Sequence, residues 1–210
     1  DSAEAIHLQV ECMRIAYAEV ERHLADIRYM TEVTVQDLLA PDYLRQRADK
    51  IDPNQAHENP TALGAGPDTV YLTTADSSGM MVSMIQSNYR GFGSGIVVPG
   101  TGISLQNRGN GFTLERGHPN EVAGGKRPFH TIIPGFVMRN DQPSLSFGVM
   151  GGHMQAQGHL QMLLRIYLWG QNPQTASDAP RWHLAEDGVV SLEPGTSQSV
   201  VEGMQSRGHK

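Results

Sequence analysis

Apolar residues near the start of the chain recur every three or four positions. From Ser2 to about Ala25 they are Ile6, Val10, Met13, Tyr17, Val20 and Leu24. This spacing predicts one amphipathic helix, with Asp1 and Glu4 as its capping box. A second helix is predicted from Pro41, since proline is tolerated in a first helical turn. Its apolar face carries Leu44, Ala48 and Ile51, and both faces are expected to be core.

The segment from Asp52 to Asp68 breaks this pattern. It has almost no apolar periodicity and contains three prolines, which predicts an exposed, mobile connection. An ordinary long loop is the alternative interpretation.

Shorter apolar segments separated by turn residues follow, and they predict β-hairpins. The paired segments lie at 70–75 and 80–86, at 96–98 and 103–105, and at 131–138 and 144–149. A helix is then predicted from Met154 to Trp169, with Leu160, Leu163, Leu164 and Tyr167 facing the core. One or two strands are expected after Asp187. Strands covered by helices indicate an α+β fold.

Composition and charge argue against nucleic-acid binding and against a membrane span. The 210 residues carry a formal charge of −6 with 16 scattered Lys and Arg, so no basic patch favours nucleic acid. No apolar run reaches the roughly 18 residues of a membrane span. No signal peptide begins the chain, which slightly favours the cytoplasm. Because the chain starts at Asp1 without an initiator methionine, a lost amino-terminal targeting segment is the alternative, and the compartment stays open.

Metal, phosphate and serine-hydrolase motifs are weak. Cys12 is the only cysteine, which excludes an intrachain disulfide. The nine histidines include no H-E-x-x-H motif, so surface or loop positions, no metal and no cofactor are expected. The glycines at 91, 93 and 95 lack the full phosphate-loop pattern, and Ser94 lacks a G-x-S-x-G context.

Thr69 is the strongest candidate for chemistry. It stands where the Gly- and Pro-rich connection meets the first strand segment. A threonine there suits a self-processing amidase, because cleavage before it frees an α-amino group to serve as base for its own hydroxyl. The alternative is a threonine that only favours the strand.

The order of further motifs raises the functional interpretation. Ser87-Asn88-Tyr89-Arg90-Gly91-Phe92-Gly93-Ser94-Gly95 comes first, then Gly124-Gly125-Lys126-Arg127-Pro128, Met150-Gly151-Gly152 and Ala179-Pro180-Arg181-Trp182-His183. From Thr69 to about Pro194 this succession resembles the small subunit of the gamma-glutamyltranspeptidase family. Residues 1–68 resemble the end of its large subunit at lower specificity.

The resemblance implies a four-layer αββα N-terminal-nucleophile hydrolase sandwich, of which this chain supplies part. It divides the chain into a helical large-subunit end (1–51), an exposed linker to the processing site (52–68) and a small-subunit region (69–210). It also implies a zymogen that cuts itself between Asp68 and Thr69, and an acyl-enzyme on Thr69 that passes to water or an amine.

Three other catalytic candidates follow from the resemblance. Ser87 matches a hydroxyl residue that bonds the nucleophile, and Gly151 with Gly152 match a diglycine that donates backbone N–H groups to the oxyanion. The alternatives are a strand-end serine satisfied by water and a simple Gly-Gly turn.

The substrate pocket departs from the glutamate-binding pattern. Gly111 stands where relatives have an acid for the substrate ammonium, and Arg108 stands nearby. The pair His130-Thr131 replaces two serines, and Tyr89 replaces an asparagine. This pattern is closer to glutamyltransferase-like and cephalosporin-acylase-like enzymes. We expect Arg108 to bind an acyl-chain carboxylate, such as a glutaryl group.

The expected function is therefore a gamma-glutamyltransferase-like amidohydrolase or acyltransferase acting on a small amide or γ-glutamyl-type substrate. Its expected partners are the remainder of the large subunit and further copies in a homo-oligomer. The alternative is an unprocessed or degenerate relative that acts as a non-catalytic scaffold or binding module.

Overall fold

The structure is a computed structural model that describes residues 2–57 and 69–210, and these residues form two compact units. One unit comprises the described residues of Asp1–Leu63, Gly111–Phe129 and Ala179–Lys210. The other comprises those of Gly64–Asn110 and His130–Asp178. The chain therefore leaves the first unit and returns to it twice.

Helix α1 (Ala3–His23) is the longest element of the first unit. Its predicted stripe is confirmed over the first four turns, where Ile6, Val10, Met13 and Tyr17 are buried. The predicted capping residue is wrong, because Ser2 is the N-cap and its Oγ accepts the N–H of Ala5. Asp1 lies outside the described residues.

The C-terminal part of the first unit packs against α1. Strands β5 (Trp182–Leu184) and β6 (Val190–Leu192) pair antiparallel, which confirms a strand after Asp187. The remaining tail is helix α6 (Gln198–Ser206) instead of a second strand. Val200 and Met204 are buried at a helical spacing of four, which explains the difference.

Two short helices follow α1, namely α2 (Val35–Leu38) and α3 (Pro41–Ala48). The start of α3 at Pro41 is confirmed. Its expected burial is wrong, because Leu44 is 50% exposed and Ala48 is also exposed. Instead, the apolar face lines an open cavity of about 520 Å³ against α1.

Strands β1 (Thr69–Ala75) and β2 (Met81–Ser87) open the second unit as the predicted antiparallel hairpin. Asp76 closes the turn, since its Oδ1 accepts the N–H groups of Ser78 and Met80. Gly79 has a φ of +87°, which glycine adopts without steric cost. The register places Thr69 opposite Ser87.

The other two predicted hairpins differ in quality. Strands β3 (Gly135–Arg139) and β4 (Gln142–Phe147) form the third, although β3 begins four residues later than predicted and carries a bulge after Val137. Residues 96–105 form a shorter antiparallel pairing, with a bridge between Val97 and Ser104 and backbone hydrogen bonds from Leu105 to Ile96 and from Val98 to Ile103.

Helix α4 (Met154–Leu163) continues as a π-helical turn, Leu164–Leu168, and α5 (Pro173–Asp178) follows. The expected inward face is wrong, since Tyr167 is 41% exposed and the three leucines are half-buried. The buried residues are instead Gln155, Gln157, Gly158, Gln161 and Arg165. Arg165 donates to the carbonyl of Ala176 and Gln161 Nε2 donates to the carbonyl of Gln157, whereas Gln155 Nε2 has no hydrogen-bond partner among the described residues.

The α+β class is confirmed, with three two-stranded antiparallel sheets and six α-helices among the described residues. Most of residues 52–57 are exposed, as predicted for the connection. The rest of that segment, Glu58 to Asp68, lies outside the described residues. The three-part division at 51 and 68 stays a prediction. Within the described parts, no helix is both long and apolar enough to cross a membrane.

Candidate active site

Thr69 is the first residue of β1 and is 8% exposed. Strand pairing sets its side chain beside that of Ser87, and the Thr69 hydroxyl donates to Ser87 Oγ at 3.2 Å. Asp68, on the other side of the predicted cleavage site, lies outside the described residues. The structure thus places the two predicted hydroxyl residues in direct contact.

Ser87 Oγ is the centre of a larger group. It also accepts the backbone N–H of Tyr89 at 2.9 Å and a long hydrogen bond from Arg108 Nη2 at 3.4 Å. Donors from β1, from the turn after β2 and from the Arg108–Gly111 3₁₀ turn therefore converge on one oxygen. Such a site favours negative charge on that oxygen and on a neighbouring nucleophile.

Arg108 is a buried cation with neutral partners. It is 2% exposed, its Nη1 donates to Thr131 Oγ1 at 2.9 Å, and its guanidinium lies 4.7 Å from the ring centre of Tyr89. No carboxylate of the described residues forms an ion pair with it. Burial lowers the pKa of Arg108 from its ordinary value. In the part of the chain that the structure describes, the charge lacks the anion that normally compensates such burial.

Tyr89 holds this arrangement through an uncommon backbone conformation. Its φ is +80°, a left-handed value that is costly for a bulky residue, and its side chain is buried. The ring also lies 5.4 Å from the guanidinium of Arg90. The conformation points the Tyr89 N–H at Ser87 while the ring faces Arg108.

Two histidines of the second unit, His130 and His153, have lowered pKa values. Burial and Arg108 lower the pKa of His130, which the sequence had placed in the pocket. Burial, with Arg90 and Arg108, lowers the pKa of His153 to about 4. Both imidazoles are therefore neutral at pH 7. His153 was not among the site residues predicted from the sequence, although its position directly after the diglycine was an available signal.

Gly151 and Gly152 lie between β4 and α4 with φ values of +113° and +63°. A side chain at position 151 would be strained, and its Cβ would lie 3.1 Å from Met154 Cβ. No hydrogen bond among the described residues joins the diglycine to Thr69. The predicted oxyanion role therefore stays a prediction, whereas Thr69, Ser87, Tyr89, Arg108 and Thr131 form one connected group.

Gly111 belongs to a tightly packed stretch of the first unit. A Cβ at this position would lie 2.8 Å from the backbone oxygen of Phe129, and Asn120 Nδ2 donates to the Gly111 carbonyl at 2.6 Å. The backbone leaves no room for the acidic side chain that the glutamate-binding pattern requires here.

A second polar cluster lies in the first unit. His7 and His209 are buried, which corrects the expectation of surface histidines, and His7 Nδ1 lies 2.7 Å from His209 Nε2. With Glu11 they offer ligand atoms within 4.8 Å of one another. However, Arg14 lies 3.2 Å from Glu11 and already neutralises it. A guanidinium at this distance opposes a divalent cation, so the cluster is best explained as packing.

Comparison with known proteins shows the family of the chain. A family model described as Gamma-glutamyltranspeptidase matches residues 1–210. The chain is 42% identical to the oxamate amidohydrolase proenzyme of Klebsiella pneumoniae subsp. pneumoniae, over all of this chain and 40% of that protein. It is 34% identical to the glutathione hydrolase-like YwrD proenzyme of Bacillus subtilis, over 86% of this chain and 34% of that protein. The chain belongs to the gamma-glutamyltranspeptidase family.

A solved structure supports the same assignment. The cephalosporin acylase from Bacillus halodurans matches with a TM-score of 0.87 and 45% identity, over 100% of this chain and 38% of that chain. The chain thus spans about two fifths of the length of the Klebsiella relative and of this acylase. These relatives are named as enzymes, and none of these observations favours the non-catalytic alternative.

Proposed function

We propose that the protein containing this chain is an amidohydrolase whose nucleophile is Thr69, freed by self-cleavage of the Asp68–Thr69 bond. The observation that carries the proposal is the hydrogen-bonded group in which Thr69 contacts Ser87 and Ser87 contacts Arg108. The proenzyme names of the relatives support the processing step.

In the first reaction, Thr69 Oγ attacks the carbonyl carbon of residue 68. The C–N bond breaks, the acyl group moves to oxygen as an ester, and water hydrolyses that ester. The products are a carboxylate at residue 68 and an amino group on Thr69.

In the catalytic cycle, the Thr69 amine takes the hydroxyl proton as Oγ attacks a substrate amide. The leaving amine departs with that proton, and water then releases the acid from the Thr69 ester. An acceptor amine in place of water gives acyl transfer. We assign Ser87 to orienting the Thr69 hydroxyl, and the backbone N–H groups of Gly151 and Gly152 to the oxyanion.

We propose that the substrate is a small amide whose acyl part carries a carboxylate and needs no ammonium group. Arg108 supplies a buried cation that no carboxylate of residues 2–57 and 69–210 pairs, with Thr131 and Tyr89 fixing its guanidinium. Position 111 has no space for an ammonium-binding acid. Oxamate, named for the Klebsiella relative, is such an amide, whereas γ-glutamyl compounds carry an ammonium group.

The test is release of ammonia or amine by the full-length protein from oxamate and from a γ-glutamyl anilide, beside Thr69→Ala and Thr69→Ser. We expect the carboxylate amide to be hydrolysed preferentially, Thr69→Ser to keep part of the activity, and Thr69→Ala to have none. Equal turnover by Thr69→Ala would refute the nucleophile assignment. Preference for the γ-glutamyl anilide would refute the substrate class.

A further inference from the structure

The distance between the nucleophile and the buried cation limits the acyl group that fits between them. Thr69 Oγ1 lies 3.2 Å and Arg108 Nη2 lies 3.4 Å from the same Ser87 oxygen. The nucleophilic oxygen and the guanidinium nitrogen are therefore at most about 6.6 Å apart. This inference rests on the proposed function, in which Thr69 is the nucleophile and Arg108 binds the substrate carboxylate. The distance between them limits the length of a substrate that contacts both groups.

An acyl-enzyme uses most of that distance for its two end contacts. The new ester bond takes roughly 1.5 Å, the length of a single bond. A charge-assisted hydrogen bond from guanidinium to carboxylate takes about 2.8 Å. At most about 2.3 Å then remains between the scissile carbon and the carboxylate oxygen.

That remainder matches an acyl group whose carboxylate is bonded directly to the scissile carbon. Bond lengths of about 1.5 and 1.2 Å at a trigonal carbon give a carbon-to-oxygen distance of roughly 2.4 Å. Each added methylene lengthens an extended acyl chain by about 1.3 Å. A glutaryl group, which the sequence suggested, must therefore fold back on itself to reach both ends.

The cation cannot easily retreat to admit a longer chain. Thr131 Oγ1 holds one guanidinium nitrogen at 2.9 Å, and the buried ring of Tyr89 lies against its face. Because Arg108 is only 2% exposed in the uncut chain, we expect the carboxylate to enter after the Asp68–Thr69 bond is cut.

We propose that this site selects α-carboxy amides, the monoamides of oxalic-type acids, over their longer homologues. Hydrolysis of oxamate, for example, consumes one water and gives oxalate and ammonia without any redox partner. The reaction that supplies such a substrate must therefore generate an oxalic acid monoamide, and the reaction that consumes the product must accept a dicarboxylate.

The test compares oxamate, malonamate, succinamate and glutaramate with the full-length protein, after mass spectrometry has confirmed a chain beginning at Thr69. We expect kcat/KM to fall roughly 10-fold or more per added methylene. Lysine places its charge closer to the backbone than arginine does. The substrate preference of the Arg108→Lys protein should therefore shift toward malonamate. Arg90→Lys changes an exposed arginine 5.4 Å from the Tyr89 ring and is the matched control, with the wild-type order of substrates.

A rate that is flat or rises with chain length in the processed protein would overturn the length selection and leave the proposed amidohydrolase intact. Failure of the fully processed protein to hydrolyse any of the four amides would overturn the proposed function as well. An unchanged order of substrates in a processed Arg108→Lys protein would also overturn the selection, since the cation would then not set the length.

Discussion

Replacing Arg108 by methionine separates a functional cation from a structural one. Methionine fills most of the same space without charge, so the variant removes the guanidinium and keeps much of the packing. If Arg108 served only the structure, its replacement would lower the free energy of unfolding of the protein. Because we assign Arg108 to binding an anionic substrate, we expect the variant to be more stable and less active.

The expected magnitudes follow from the contacts of Arg108. Desolvation of its charge costs several kcal/mol. Its hydrogen bonds to Thr131 and Ser87 offset part of this cost, as does the contact with Tyr89 at 4.7 Å. We expect methionine to raise the free energy of unfolding by about 1–4 kcal/mol. Loss of a buried charge pair with the substrate costs about 2–5 kcal/mol, which lowers kcat/KM roughly 30- to 5,000-fold.

Urea unfolding and the kinetics of oxamate hydrolysis measure both quantities on the same preparation. Arg90→Met is the matched control, because Arg90 also lies against the Tyr89 ring but is exposed. Its unfolding free energy should change by no more than about 0.5 kcal/mol. A destabilised Arg108→Met protein with unchanged kcat/KM would refute the reasoning.

Three further changes test the packing and the charges. Ser87→Ala should slow self-cleavage, and it should lower the free energy of unfolding by about 1–3 kcal/mol because the Tyr89 N–H loses its acceptor. Gel time courses measure the first effect and urea unfolding the second. Ser87→Thr should restore both the cleavage rate and the stability. Gly158→Ala places a Cβ 2.7 Å from Val149, so urea unfolding should show a loss of about 1–3 kcal/mol, which a second change, Val149→Ala, should relieve. Burial and neighbouring cations lower the pKa of His209 to about 4, so the unfolded chain binds more protons below about pH 6.5. Stability should fall by up to about 3 kcal/mol between pH 6.5 and 4, and a flat profile, or no flattening in His209→Gln, would contradict this.

Elements with a local signal were predicted from the sequence. The stripe of Ile6 and Val10 gave α1, and the turn at Asp76 and Gly79 gave the first hairpin. Both depend on residues within one or two turns of each other. The helix from Met154 was also predicted, but its buried face was not, because glutamines are buried there in place of the expected leucines. One of their contacts is distant in sequence, since the Ile133 N–H donates to Gln155 Oε1.

In the site, too, the residues with a sequence signal were predicted and the contacts set by tertiary packing were not. Motif order indicated Thr69 and Ser87, and the structure places their hydroxyls in contact. The bond from Arg108 to Thr131 and the left-handed backbone of Tyr89 depend on tertiary packing and have no local sequence signal. Sequence alone therefore named the pocket residues without giving the distance that limits the acyl group.

The measurement that tests the central claim most directly is the intact mass and N-terminal sequence of the purified protein, beside Thr69→Ala. The proposed mechanism predicts two chains from the wild type, one beginning at Thr69, and a single uncut chain from the variant. A wild-type protein that stays uncut, or a Thr69→Ala protein that is still cut at this bond, would contradict an autocatalytic Thr69 nucleophile.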